Sequence, residues 1–169
     1  MGCHIPFTIR HMMLNGRTMF PTLALSLIWV WHIASAEMVF NPDVRQDTID
    51  ETICVKGYTK SIRPSALYTN GVKEILLLDG GIDTAKSDEY QLDHLISLGL
   101  GGHPRARGNL ALQRLDGDEG AKRKDRLEVK LQCLVCSRQV SLSTAQDAIY
   151  LDWIAAYHYY AKVKCDRSH

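Results

Sequence analysis

Two short apolar segments, residues 92–98 and 109–112, are separated by ten residues that hold Gly99, Gly101, Gly102, Gly108 and Pro104. This spacing constrains the chain more than any other feature. Glycine weakens helix and strand alike and proline removes a backbone donor, so no regular element can run through the middle. The segments are too short to stand as isolated helices, and they join most simply as a hairpin with an irregular loop. Directly afterwards, Asp118-Glu119-Gly120 leads into a pattern whose apolar positions Leu127, Leu131, Leu134 and Val135 form one helical stripe. Acidic residues at its start suit the helix dipole.

The flanks read as mostly helical. Asn41-Pro42-Asp43 marks a turn, and Val44, Thr48, Ile49 and Ile53 lie near helical spacing, which predicts a short helix. Residues 54–63 alternate in part and stop at Pro64, as a short edge strand or hairpin would. Thr69-Asn70 can cap a helix that begins near Val72, runs through Ile75, Leu76 and Leu78, and ends at Gly80-Gly81. Ser143-x-x-Gln146 has the form of a capping box for a last helix that buries Ala145, Ala148, Ile149 and Ile154. The expected class is α+β with little sheet.

At the N-terminus, Arg10 and Arg17 precede an apolar run over residues 23–31 and then Ala34-Ser35-Ala36. That layout predicts a secretory signal over residues 1–36 and one domain over 37–169, with an uncleaved anchor as the alternative. The long stretch before Arg17 leaves Met12, Met13 or Met19 as other starts. Without the leader the chain carries 18 Lys and Arg against 19 Asp and Glu, so it is not globally basic. The charge is uneven: residues 37–90 sum to −4 and residues 103–130 to +3, so a polyanion would approach the second region. Cys54, Cys133, Cys136 and Cys165 remain after cleavage. An exported chain with an even count predicts two bridges in one of three connectivities; a four-thiolate zinc site is the rival.

Asp93-His94 is the one place where an acid and an imidazole adjoin in an otherwise apolar segment. A carboxylate is a hard oxygen ligand for Mg²⁺, and a neutral imidazole can take a proton from water near neutral pH. His103, in the glycine-rich loop, reads as exposed, and His158 as part of the aromatic surface of the last helix.

From Asp93 the chain runs DHLISLGLGG, then reaches Asn109-Leu110, then Lys124-Asp125-Arg126-Leu127-Glu128 and Val135-Cys136-Ser137. This resembles the HNH branch of the His-Me finger nucleases, and within it a group of small secreted or lipid-anchored bacterial proteins with DHLIPLxLGG, NL, KDRLE and a VCSG-like segment. The likeness extends upstream through Thr52-Ile53-Cys54-Val55-Lys56-Gly57-Tyr58 and Arg63-Pro64, and so covers most of residues 37–169.

The resemblance implies a ββα-metal hairpin and helix, flanked by further helices and stapled by disulfides. It implies a secreted or periplasmic endonuclease, monomeric, that hydrolyses phosphodiester bonds of DNA, or of RNA, with low sequence specificity and leaves 5′-phosphate and 3′-hydroxyl ends. Asp93 would bind one Mg²⁺, Mn²⁺ or other divalent cation. His94 would be the general base, and Asn109, on the second hairpin strand, would hold the loop that orients it. Arg105, Arg107, Lys122, Arg123, Lys124 and Arg126 would contact the nucleic-acid backbone. Where relatives carry a third Asn or His, Gly120 or a neighbour stands here, which leaves Asp118, Glu119 and Asp125 as candidate ligands. Ser97 replaces a common proline. Cys54 and Cys136 match positions that carry Cys in that group and would pair, leaving Cys133 with Cys165. The competing reading is the same fold kept as a non-catalytic binding or structural module of the cell envelope.

Overall fold

The computed structural model describes residues 37–166, so the signal assigned to residues 1–36 lies outside the described residues. The glycine-rich stretch forms the expected hairpin. β1 (Tyr90–His94) and β2 (Leu110–Arg114) pair antiparallel, with Leu92 opposite Leu112, Asp93 opposite Ala111 and His94 opposite Leu110. Single turns of 3-10 helix at Leu98–Leu100 and Arg107–Asn109 shape the loop between them. Its tightest point is Gly102, where a Cβ would fall 1.8 Å from the Ile96 carbonyl oxygen. Only glycine fits there without moving the backbone.

α3 (Ala121–Cys136) follows the hairpin and buries Leu127, Leu131, Leu134 and Val135, the stripe read from sequence. Around it cluster Val44, Ile49 and Ile53 from the N-terminal turns, Ile96 and Leu100 from the loop, and Leu142, Ala145 and Ile149 of α4 (Leu142–Tyr160). Each large apolar side chain buried in this way contributes about 1.5–3 kcal/mol. The described residues are thus α+β with one two-stranded sheet. No helix among them is long and apolar enough to cross a membrane.

Several local expectations are corrected. Residues 42–54 form successive turns rather than a helix, although Val44, Ile49 and Ile53 are buried. The Thr48 hydroxyl accepts from the Arg45 amide and donates to the Asp43 carbonyl, offering the backbone a partner that competes with helical bonds. The strand expected over 54–63 is instead turns and a short helix, α1 (Tyr58–Ile62), entered through Gly57 at φ 92°. α2 (Ala66–Asp79) begins six residues before Val72 because Ser65, not Asn70, is the cap: its hydroxyl accepts from the Tyr68 amide. α4 is capped by Ser141, whose side chain accepts from Thr144; Gln146 reaches instead to the Leu100 carbonyl at 2.9 Å. No acid lies in the first turn of α3, since Asp116 and Asp118 precede its Gly120 cap.

The cysteines sit in two pairs at disulfide distance, Cys54 with Cys136 and Cys133 with Cys165. The CxxC therefore splits between two partners and is no zinc knuckle. One pair ties the N-terminal turns to the end of α3; the other ties α3 to the C-terminal segment. Their sequence separations of 82 and 32 residues correspond to about 4.5 and 3.7 kcal/mol in the chain-entropy account.

Candidate functional site

The end of β1 brings the two chemistry-bearing side chains to the loop end of the hairpin. His94 lines a cleft of about 770 Å³ whose walls come from the turn after α1, from α2, from β1 and from α3. Its Nε2 lies 3.1 Å from the Pro104 carbonyl oxygen. A carbonyl can only accept, so Nε2 carries the proton and Nδ1 keeps its lone pair. Burial pulls the His94 pKa below its ordinary value; the Pro104 contact and Asp93 resist, while the Arg63 and Lys124 charges add to the depression. At neutral pH the ring is uncharged, as a base must be.

Asn109 ends the 3-10 turn just before β2 rather than lying within the strand. It is 1% exposed. Its Oδ1 accepts from the Ile96 amide at 2.8 Å, and its Nδ2 donates to the Ile96 and His103 carbonyls, both at 3.0 Å. These bonds clamp both ends of residues 96–103, the segment that follows His94. His103 does more than sequence indicated: its Nδ1 accepts from the amides of Arg105 and Ala106 and so folds the loop.

Asp93 belongs to a group of three carboxylates. One oxygen each from Asp93, Asp125 and Glu128 lies within 4.8 Å of the others. Of the ligands left open by sequence, Asp125 alone joins Asp93. Asp118 is 90% exposed and pairs with Arg123 at 2.6 Å. Glu119 borders a separate cavity of about 290 Å³ on the α4 side, which Asp93 also lines.

Lys124 stands at the centre of this group. It is buried, and its Nζ donates to Asp93 Oδ2 at 2.8 Å, to Glu128 Oε1 at 2.7 Å and to the His94 carbonyl at 2.7 Å. All three ammonium protons are therefore used. Burial disfavours the charge, but Glu128 and Asp93 outweigh it and leave the Lys124 pKa raised. Burial, only partly offset by Lys124, pushes Glu128 up to about 7. Asp125 is raised by burial and by Asp93, against the pull of Lys124, a hydrogen bond from Gln91, and Arg63.

The basic residues expected to meet a polyanion are dispersed. Lys124 is buried. Lys122 pairs with Asp116 at 2.6 Å and Arg107 with Asp79 at 3.8 Å. Arg105 stacks over Tyr68, while Arg123 and Arg126 lie over Tyr157. His158 is exposed beside Tyr157 on α4.

Sequence reasoning missed Glu128 and the central position of Lys124, yet a signal was present. Residues 124, 127, 128, 131, 134 and 135 continue a single helical stripe, so Lys124 and Glu128 occupy positions where apolar residues belong. Comparison with protein families, characterised proteins and solved structures finds no match to the chain.

Proposed function

We propose that the domain is a His-Me finger nuclease of the HNH type, exported, that hydrolyses phosphodiester bonds of DNA or RNA with the help of one divalent cation. The observation that carries this reading is the meeting of a neutral His94 with the Asp125 and Glu128 carboxylates in one cleft, beside Asp93. The order β1, β2, α3, with Asn109 clamping the loop, supports the reading, since a ββα-metal unit would have that order.

The donor set fits a hard cation. Once all three are ionised, three carboxylates set against one ammonium leave the group two negative charges in excess, which one Mg²⁺ or Mn²⁺ would balance. Burial first, and then the Asp93 and Asp125 charges, hold the Glu128 pKa up, so its proton must leave before the carboxylate binds metal. Asp93, Asp125 and Glu128 would hold the cation, which would stabilise charge on the leaving 3′ oxygen. His94 Nδ1 takes the proton of the attacking water, while Pro104 fixes the tautomer through Nε2. Lys124 orients Asp93 and Glu128 and holds the His94 carbonyl, so the strand end keeps its place.

One observation favours a second reading, a non-catalytic binding or structural module: Lys124 already bonds two of the three carboxylates. A cleavage assay separates the two. The oxidised protein is incubated with plasmid DNA and Mg²⁺ or Mn²⁺, with EDTA and His94→Ala as controls and circular dichroism to check folding. Cleavage lost in both controls is expected. Cleavage that survives both, or none with any metal, rejects the nuclease reading.

A further inference from the structure

The cations that sequence assigned to a polyanion lie on α3 or in the hairpin loop, and most are engaged with neighbouring groups. Two others are not. Arg63 and Lys73 lie in the acidic N-terminal half, where charge counting draws attention away from them, yet both line the cleft that holds His94, Asp125 and Glu128. Among the described residues neither makes an ion pair or a side-chain hydrogen bond.

Their backbones are well fixed. Arg63 ends α1 in extended geometry, φ −64° and ψ 130°, the conformation that the following Pro64 imposes, and Pro64 itself is buried. Lys73 shares one face of α2 with Ala66, Thr69 and Asn70, at helical offsets of three, four and seven, and that face forms the cleft wall.

The cleft therefore has cations on the α1–α2 wall and carboxylates on α3. A simple anion would meet the carboxylates, and a simple cation would meet Arg63 and Lys73. A phosphodiester suits both: its free oxygens accept from guanidinium and ammonium, while its ester side turns to the base and a metal-bearing carboxylate group. The volume, about 770 Å³, is that of a pocket for one small ligand or one backbone segment. We propose that Arg63 and Lys73 are the phosphate-binding pair of this cleft and hold one phosphodiester of a nucleic-acid strand against His94, an assignment that rests on the nuclease reading for the identity of the anion.

The test measures binding and cleavage separately. Binding of a fluorescein-labelled single-stranded 12-mer is followed by anisotropy in EDTA over a salt series; cleavage of the same oligonucleotide is followed with Mg²⁺. Arg63→Gln/Lys73→Gln should weaken binding about tenfold or more, and the salt slope should fall by about 1.4, near 0.7 per contact on a single strand. KM should rise more than kcat falls. Lys56→Gln/Lys86→Gln removes equal charge outside the cleft and should change binding less than about twofold. Arg63→Lys/Lys73→Arg keeps the charge and should retain most of the slope, and thermal melts check that each variant folds. Should the loss follow Arg123→Gln/Arg126→Gln instead, or should the cleft variant keep the wild-type slope and KM, the phosphate pair is wrong while the nuclease reading stands. If the wild type binds through Arg63 and Lys73 but never cleaves, the pair stands and the nuclease reading falls. No binding even at low salt overturns both.

Discussion

Replacing Lys124 with methionine keeps an unbranched side chain, one atom shorter, and removes its three donors. Asp93, Glu128 and the His94 carbonyl, at 2.8, 2.7 and 2.7 Å, then lose their shared partner in a site where Lys124 is 3% exposed. Breaking one side of a buried ion pair costs about 3–5 kcal/mol. The loss should depend on pH. Glu128 sits near pKa 7 with the lysine present, and its folded value rises further without it. A carboxyl whose folded pKa exceeds its unfolded value of 4.5 binds more protons when folded, so stability falls as pH rises between the two. The slope for one such group is at most about 1.4 kcal/mol per pH unit. Urea unfolding with the disulfides intact should therefore give a deficit of about 4 kcal/mol at pH 8 that shrinks by at most about 1.4 kcal/mol at pH 5, because wild-type Glu128 also takes up its proton near 7 and the two proteins differ in proton uptake only above that. Mg²⁺ at a hundred times its dissociation constant should restore about 2.7 kcal/mol at pH 8. An equal loss at both pH values, or a gain in stability, would refute the claim that Lys124 chiefly offsets negative charge.

The pH profile of cleavage should carry the mark of Glu128 rather than of His94. His94 titrates below its ordinary value and Glu128 near 7, so kcat/KM at low Mg²⁺ should climb about tenfold per unit up to pH 7 and then level; higher Mg²⁺ should move the rise to lower pH as metal displaces the proton. A rise centred at the usual imidazole value and indifferent to Mg²⁺ would contradict this. At the loop, Ser97 has φ −63° and a buried hydroxyl with no partner, so Ser97→Pro matches the ring's preferred angle and removes an orphaned group. The variant should unfold at higher urea, by about 0.4–1 kcal/mol from chain entropy alone, and a drop in midpoint would show that the Ser97 amide or its neighbours cannot accept the ring.

The hairpin and the α3 stripe were legible because each is a local pattern with one physical outcome, whereas the four cysteines left three pairings and a zinc site open and only the resemblance singled out Cys54 with Cys136. Glycine at 101 and 102 forbids regular structure, and Leu127, Leu131, Leu134 and Val135 have only one helical face to share. The N-terminal region was misread where side chains compete for the backbone. Thr48 and Ser65 each supply hydrogen bonds that outvote the apolar spacing, one by breaking a helix into turns and the other by starting a helix six residues early. At the site, Asp93, His94, Asn109 and Asp125 were nameable from their neighbours in sequence. Arg63, Lys73 and Glu128 were not, because what joins them to His94 is the packing of α1 and α2 beside β1 and α3, which no local pattern encodes.

Placing Lys124 and Glu128 on the buried stripe of α3 runs against stability, since a well-packed apolar pair at such positions is often neutral or better by about 1–4 kcal/mol. The helix has room for that choice: Leu127 and Leu131 flank the pair on the same stripe and are buried, and two cysteine bridges anchor its far end. What the charges gain is position. Lys124 bonds the His94 carbonyl and the Asp93 carboxylate at once, so α3 reads the end of β1 at two points one residue apart. Asn109 fixes the chain from the opposite side through Ile96 and His103. The backbone on either side of His94 is thus held by polar bonds from two separate elements, while its ring faces the open cleft. Apolar packing alone would stabilise the hairpin but would leave its last residue free to turn. On the proposed nuclease reading, the cost borne on α3 is therefore matched to a place, among the described residues, where orientation as well as burial decides whether His94 can take a proton.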